Sequence, residues 1–195
     1  MSNAAVLTVN DLRVYYDTDS GTVKAVDGVS FDLQPGERLG LVGESGSGKS
    51  TLALALMRLH KPPARIAGGE IFLDGSGDVV TLEDAQLRAM RLDRMALIPQ
   101  GAMNSLNPVM RIRDQVADGI RTHDSDASSE DIQSRILAQL GRVGLDSDEV
   151  AGKFPHELSG GMKQRVAIAI GTSLNPSVII ADEPTSALDV VVQRQ

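Results

Sequence analysis

The residues best suited to do chemistry stand at Gly43-Glu44-Ser45-Gly46-Ser47-Gly48-Lys49-Ser50-Thr51. The apolar run Leu39-Gly40-Leu41-Val42 precedes them and the helix-like stretch Thr51 to Leu59 follows. Glycines at these positions let the backbone curl so that consecutive N–H groups point inward, and a following helix adds its positive end. In the pattern G-x-x-x-x-G-K-S the lysine reaches the terminal phosphates and the hydroxyl of Ser50 ligates a divalent cation. The pattern also demands a strand before it and a helix after it, and the sequence predicts both. The implied ligand is a nucleoside triphosphate with Mg²⁺.

A second group lies far downstream. Val178-Ile179-Ile180-Ala181 reads as a buried parallel strand and runs into Asp182-Glu183-Pro184-Thr185. Ligands of parallel sheets collect at the carboxyl ends of strands. Asp182 is placed to hold Mg²⁺ through its water shell, and Glu183 to polarise a water attacking the γ-phosphate. By themselves two acids could equally cap a loop; the phosphate loop upstream favours the chemical reading.

The third group is Leu158-Ser159-Gly160-Gly161-Met162-Lys163-Gln164-Arg165, followed by the helical run Val166 to Ile170. A serine hydroxyl, two glycines exposing N–H groups and a helix N-terminus together make an anion site, and the serine doubles as an ordinary N-cap. This text resembles the signature motif of the ATP-binding cassette (ABC) proteins, and with the other two groups the resemblance covers nearly the whole chain. It implies an α/β P-loop NTPase fold with an N-terminal antiparallel portion, a parallel-sheet core and an inserted helical subdomain. It implies one partial ABC domain over residues 5–195, with the nucleotide-binding core at about 5–86 and 166–195 and the Q-loop, helical subdomain and signature at about 87–165.

Family positions carry over one at a time. Tyr16 matches the aromatic that stacks on adenine; Tyr15 is adjacent, and the alternation Leu12, Val14, Tyr16 favours the latter. Gln100, after the strand-like Met95-Ala96-Leu97-Ile98-Pro99, matches the Q-loop glutamine, a Mg²⁺ ligand whose loop links the nucleotide to a membrane partner. Ser186-Ala187-Leu188-Asp189 matches the D-loop at the family's dimer interface. The resemblance thus assigns Glu183, Lys49 and Gln100 to catalysis; Tyr16, Gly43 to Thr51, Ser159, Gly160 and Gly161 to ATP; and Ser50, Gln100 and Asp182 to Mg²⁺.

Asn104-Ser105-Leu106-Asn107-Pro108-Val109-Met110 and Val23-Lys24-Ala25-Val26-Asp27-Gly28-Val29-Ser30-Phe31 resemble the ATPase subunits of oligopeptide, dipeptide and nickel importers. That branch implies transport-coupled ATP hydrolysis in the cytoplasm, peripheral on the inner face of the cell membrane. Its partners are a second ATPase subunit, transmembrane permeases and, indirectly, an extracytoplasmic solute-binding protein. The alternatives are a nucleotide-binding module without turnover and the ATPase of another ABC transporter type. A DNA-repair or chromosome-organising ATPase is disfavoured by the short spacing between phosphate loop and signature.

The elements that must position these groups follow from periodicity. Val6 to about Gly36 reads as antiparallel strands, with a short strand near Glu70 to Leu73. From Leu87 to His156 the apolar residues Leu92, Ile112, Val116, Ile120, Ile132, Ile136, Leu137 and Leu140 recur near helical spacing. Thr122 to Asp131 is polar and acidic and reads as a surface loop ready to cap a helix from Ile132. Pro62-Pro63 marks a boundary and Gly75 to Gly77 a turn.

With 195 residues and 42% apolar content the chain can bury one sizeable core. No stretch approaches the roughly 20 apolar residues of a spanning helix, and the N-terminus lacks a signal-peptide layout. There is no cysteine, and His60, His123 and His156 lack metal-ligand spacing. A net charge of −7 argues against a nucleic-acid surface. The family continues past the D-loop with a strand bearing a switch histidine; no histidine follows Glu183, so the resemblance implies a missing C-terminal part, an unpaired edge beside the Val178 strand and reduced stability or association.

Overall fold

The computed structural model describes residues 4–101 and 105–183. They form two compact units divided between Arg91 and Leu92.

In the first unit, β1 (Leu7–Thr18) and β2 (Gly21–Leu33) form an antiparallel pair, followed by α1 (Lys49–Leu56), β3 (Ala64–Leu73), the two-residue β4 (Gly77–Asp78) and α2 (Asp84–Met90). The sheet order is β2-β1-β3-β4. Alternation sends Leu7 and Val9 of β1 inward, yet Leu12 and Val14 are buried too, three residues on rather than two. The phase slips at a bulge between Val9 and Leu12, where Asp11 takes φ 46°. Gly69 of β3 faces that bulge with φ 90°; a Cβ there would lie 2.5 Å from the Asp11 carbonyl oxygen, so glycine alone fits. β3 therefore runs ten residues through Gly68 and Gly69, longer than the short strand expected near Glu70 to Leu73.

The second unit holds β5 (Met95–Ile98), α3 (Ile112–His123), α4 (Ser129–Arg142), α5 (Ser147–Ala151), a 3₁₀ turn at Pro155–Glu157, α6 (Gly160–Gly171) and β6 (Val178–Ala181). β5 and β6 pair in parallel from Met95 opposite Val178 to Ile98 opposite Ala181, as the sequence predicts for the latter strand, but of its four residues only Val178 is buried. Ile112, Val116, Ile120, Ile132, Ile136, Leu140, Val150 and Val166 make one buried helical cluster, at helical spacing within α3 and α4. Each large aliphatic side chain so buried contributes about 1.5–3 kcal/mol. α4 begins three residues earlier than expected: the Ser128 hydroxyl accepts from the Asp131 N–H, and Ser129, Glu130 and Asp131 form its first turn rather than a loop.

One expectation fails. Leu39 to Val42 form no strand, and α1 starts at Lys49 after a loop rather than after a strand and loop. Leu39 and Leu41 are about half exposed and Val42 is 95% exposed. A strand persists only against a neighbour that takes its backbone hydrogen bonds, and among the described residues none pairs with 39–42. Among the described residues β6 pairs with β5 alone, and its Ile179 is 48% exposed.

Candidate functional site

The first unit supplies a glycine-built loop. Gly46 and Gly48 take φ 81° and 92°, and Gly48 is the N-cap of α1. A Cβ on Gly48 would lie 2.3 Å from the carbonyl oxygen of Ala25 in β2, so the loop is pressed against that strand. The Leu52 N–H donates to the Gly48 carbonyl at 2.8 Å, the first rung of the α1 ladder. Lys49 lies across the loop: its Nζ donates to the Gly43 carbonyl at 2.8 Å, the Glu44 carbonyl at 2.7 Å and the Ser47 hydroxyl at 3.4 Å. Lys49 is thus held by the loop's own carbonyl oxygens, and a lysine beside a glycine-rich turn at a helix N-terminus is the arrangement that serves a polyphosphate. Ser50 and Thr51 follow in the first turn of α1.

Tyr16 and Tyr15 have different neighbours. The Tyr16 hydroxyl is 3.2 Å from the Thr51 hydroxyl, which puts its ring beside the phosphate loop. The Tyr15 hydroxyl donates to Asp27 at 2.5 Å, and its ring carries the Lys24 ammonium 5.5 Å and the Arg65 guanidinium 5.9 Å from its centroid. The Tyr15 hydroxyl and then Lys24 hold the Asp27 carboxyl below the usual carboxylate range. Tyr15 is thus tied into a surface charge cluster, while Tyr16 keeps company with the loop.

The second unit supplies two acids, an amide and a helix start. The parallel ladder closes with the Asp182 N–H donating to the Ile98 carbonyl at 2.9 Å. Two residues beyond the last paired positions, the Gln100 amide nitrogen donates to the Glu183 carboxylate at 2.9 Å. Glu183 has φ 50°. Ser159 caps α6 by accepting from the Met162 N–H at 3.3 Å, so Gly160 and Gly161 open the helix with their N–H groups outside its ladder. Ser186 to Asp189, the D-loop match, lies outside the described residues.

Two attachments around these groups are not legible in the sequence. Gln115 accepts from the Asn107 N–H at 2.9 Å and donates to the Asn107 and Met110 carbonyls, which clamps the turn that presents Val109 to solvent. Arg111 stacks on Phe154, 4.6 Å from its centroid, and donates to the Gly152 carbonyl; beside it the Ile112 N–H donates to the Lys153 carbonyl at 2.9 Å. The segment that follows Gln100 is thereby fastened to the one that precedes Ser159. Residues some 40 positions apart share no local pattern that would announce this.

The sequence profile of the ABC transporter family matches residues 26–186. The chain belongs to this family. Among its ABC relatives, the dipeptide transport ATP-binding protein DppD of Lactococcus lactis is 41% identical over 196 residues, which cover 100% of this chain and 56% of DppD. The oligopeptide transport ATP-binding protein OppD of Bacillus subtilis is 42% identical over 192 residues, 97% of this chain and 53% of OppD. The ABC chain therefore spans little more than half the length of these curated relatives. Among solved structures, the dimeric bacterial ABC transporter cassette MJ0796 superposes with TM-score 0.85 at 30% identity, covering 96% of this chain and 78% of that one. The same cassette in a post-hydrolysis state, bound to ADP and Pi, gives TM-score 0.84. The fold is that of an ABC ATPase cassette, and no helix among the described residues is long and apolar enough to cross a membrane.

Proposed function

We propose that this ABC chain binds and hydrolyses ATP to energise the import of peptides or a related solute. The observation that carries the reading is its identity of 41% and 42% to a dipeptide and an oligopeptide transport ATP-binding protein along almost its entire length. ATP stacks on Tyr16 and lays its phosphates along Gly43 to Thr51. Lys49 gives up its three contacts with the loop for the terminal phosphates. Glu183 orients the attacking water, and Lys49 with the signature donors of a second subunit offsets the charge developing on the γ-phosphate.

Mg²⁺ fits the donors that the reading names. Ser50, Gln100 and Asp182 offer a hydroxyl, an amide oxygen and a carboxylate, all hard oxygens. Hard oxygens of this kind, with Asp182 acting through the water shell, suit an ion that takes its remaining ligands from nucleotide and water. When bound, it neutralises phosphate charge.

Ser159, Gly160 and Gly161 serve the site of a partner subunit, identical or homologous, in an ATP-sandwich dimer. Permease subunits dock near the segment after Gln100 and hold the protein at the inner face of the membrane, where it responds to an extracytoplasmic solute-binding protein. Glu183→Gln tests the core of this reading: ATP affinity should persist while turnover falls by about 10²–10⁴, the usual contribution of a positioned base. Undiminished turnover would remove Glu183 from that role.

A further inference from the structure

From the ends of β5 and β6 we infer that Gln100 is the positioning residue for Glu183: its amide N–H sets the carboxylate, and with it the water that the carboxylate orients. The inference rests on the proposed role of Glu183 and goes beyond it by naming what holds that side chain in place.

The parallel ladder delivers the pair. Ile98 lies opposite Ala181, the Asp182 N–H makes the last rung to the Ile98 carbonyl, and Gln100 and Glu183 each stand two residues past the last paired position. Glu183 then turns into the left-handed region, at φ 50°. A non-glycine residue there is strained and persists when its surroundings hold it, which makes such an outlier a pointer to function. What meets it is the Gln100 amide at 2.9 Å.

The chemistry of the amide sharpens the assignment. An ionised carboxylate only accepts, so the end of Gln100 that faces Glu183 must be the NH₂ group, and the orientation of the amide follows from its partner. The amide oxygen is then directed away from Glu183 and is left to accept. One planar group thus has two separable duties: its nitrogen sets the carboxylate, and its oxygen serves the cation named above. A hydrogen bond to a charged group is strong enough to choose one side-chain rotamer over its competitors.

Gln100→Glu separates the duties, since it keeps the length and an oxygen while replacing the donor with an acceptor whose charge repels the Glu183 carboxylate. In the full-length gene product we expect kcat for ATP to fall about ten- to a hundredfold, the range set by losing one hydrogen bond to a charged group. The Kd for ATP and the Mg²⁺-dependent rise in melting temperature that ATP produces should change less than turnover does. In a Glu183→Gln background the same substitution should cost less than about twofold further, because a residue that acts through another has nothing left to lose. The inference is overturned if Gln100→Glu keeps its kcat, if its Mg²⁺-dependent ATP binding weakens as much as turnover, or if its loss is undiminished in the Glu183→Gln background. Loss in Glu183→Gln with none in Gln100→Glu would sink this inference alone; no loss in Glu183→Gln would sink the base role and the inference together.

Discussion

Gly46 and Gly48 differ in one respect that a pair of alanine substitutions can isolate. Both have positive φ, 81° and 92°, so an alanine at either pays the left-handed penalty of about 1–2 kcal/mol. Around Gly46 nothing lies within 4 Å of the added Cβ, whereas at Gly48 it would sit 2.3 Å from the Ala25 carbonyl oxygen, a backbone atom that cannot rotate aside. Overpacking of that kind adds about 1–3 kcal/mol. For a chain of this size each kcal/mol lowers the melting temperature by roughly 2–4 °C, so Gly46→Ala should lose about 2–8 °C and Gly48→Ala about 2–12 °C more. Thermal melts followed by circular dichroism give the difference. The same melts with ATP at a hundred times the wild-type Kd, worth about 2.7 kcal/mol, show whether each loop still binds; Gly48→Ala should show no rise, since the loop must leave β2 to admit the methyl group. Equal melting temperatures for the two variants would refute the claim that β2 fixes the loop.

Other expectations follow from single contacts. Ser159→Ala should cost about 1 kcal/mol by stripping the N-cap of α6, and Ser159→Gly only a few tenths, as measured by chemical denaturation. Tyr16→Ala should weaken ATP binding about five- to tenfold through loss of ring stacking, while Tyr15→Ala leaves it unchanged, by calorimetric titration. Burial, and secondarily Arg58, lowers the pKa of His60 below its ordinary value. Its folded form thus prefers the neutral ring: the stability it contributes is complete above the unfolded pKa of about 6.5 and falls as pH drops through the folded value. Melts between pH 8 and 5 should show that fall, and His60→Gln should flatten it.

What the sequence makes legible is chemistry that closes within a few residues. The glycines before Lys49, the Ser159 cap and the acids after Val178 to Ala181 need only their own neighbours, so spacing reveals them. The β1 bulge hides because Asp11 breaks an alternation whose repair lies at Gly69, on another strand. Leu39 to Val42 look like a strand by composition, but whether they form one is decided by a partner that their own residues do not specify. The Gln100 to Glu183 bond spans 83 residues and exists only once β5 and β6 lie in register. The choice between Tyr15 and Tyr16 likewise needs Asp27 and Thr51 in place.

The fastening of residues 105–112 to 152–158 has a consequence for the way this part of the molecule opens. The amide of Ile112 is shielded from exchange with solvent by the Lys153 carbonyl, and Arg111 holds both Gly152 and the Phe154 ring. Leu106 and Leu158, one in each segment, sit in the same buried cluster. Neither segment can swing out without exposing the other, so their amides should exchange as one cooperative unit with a shared opening free energy. A ligand that grips the stretch after Gln100 would then slow exchange in the stretch ahead of Ser159 as well, with no contact of its own there.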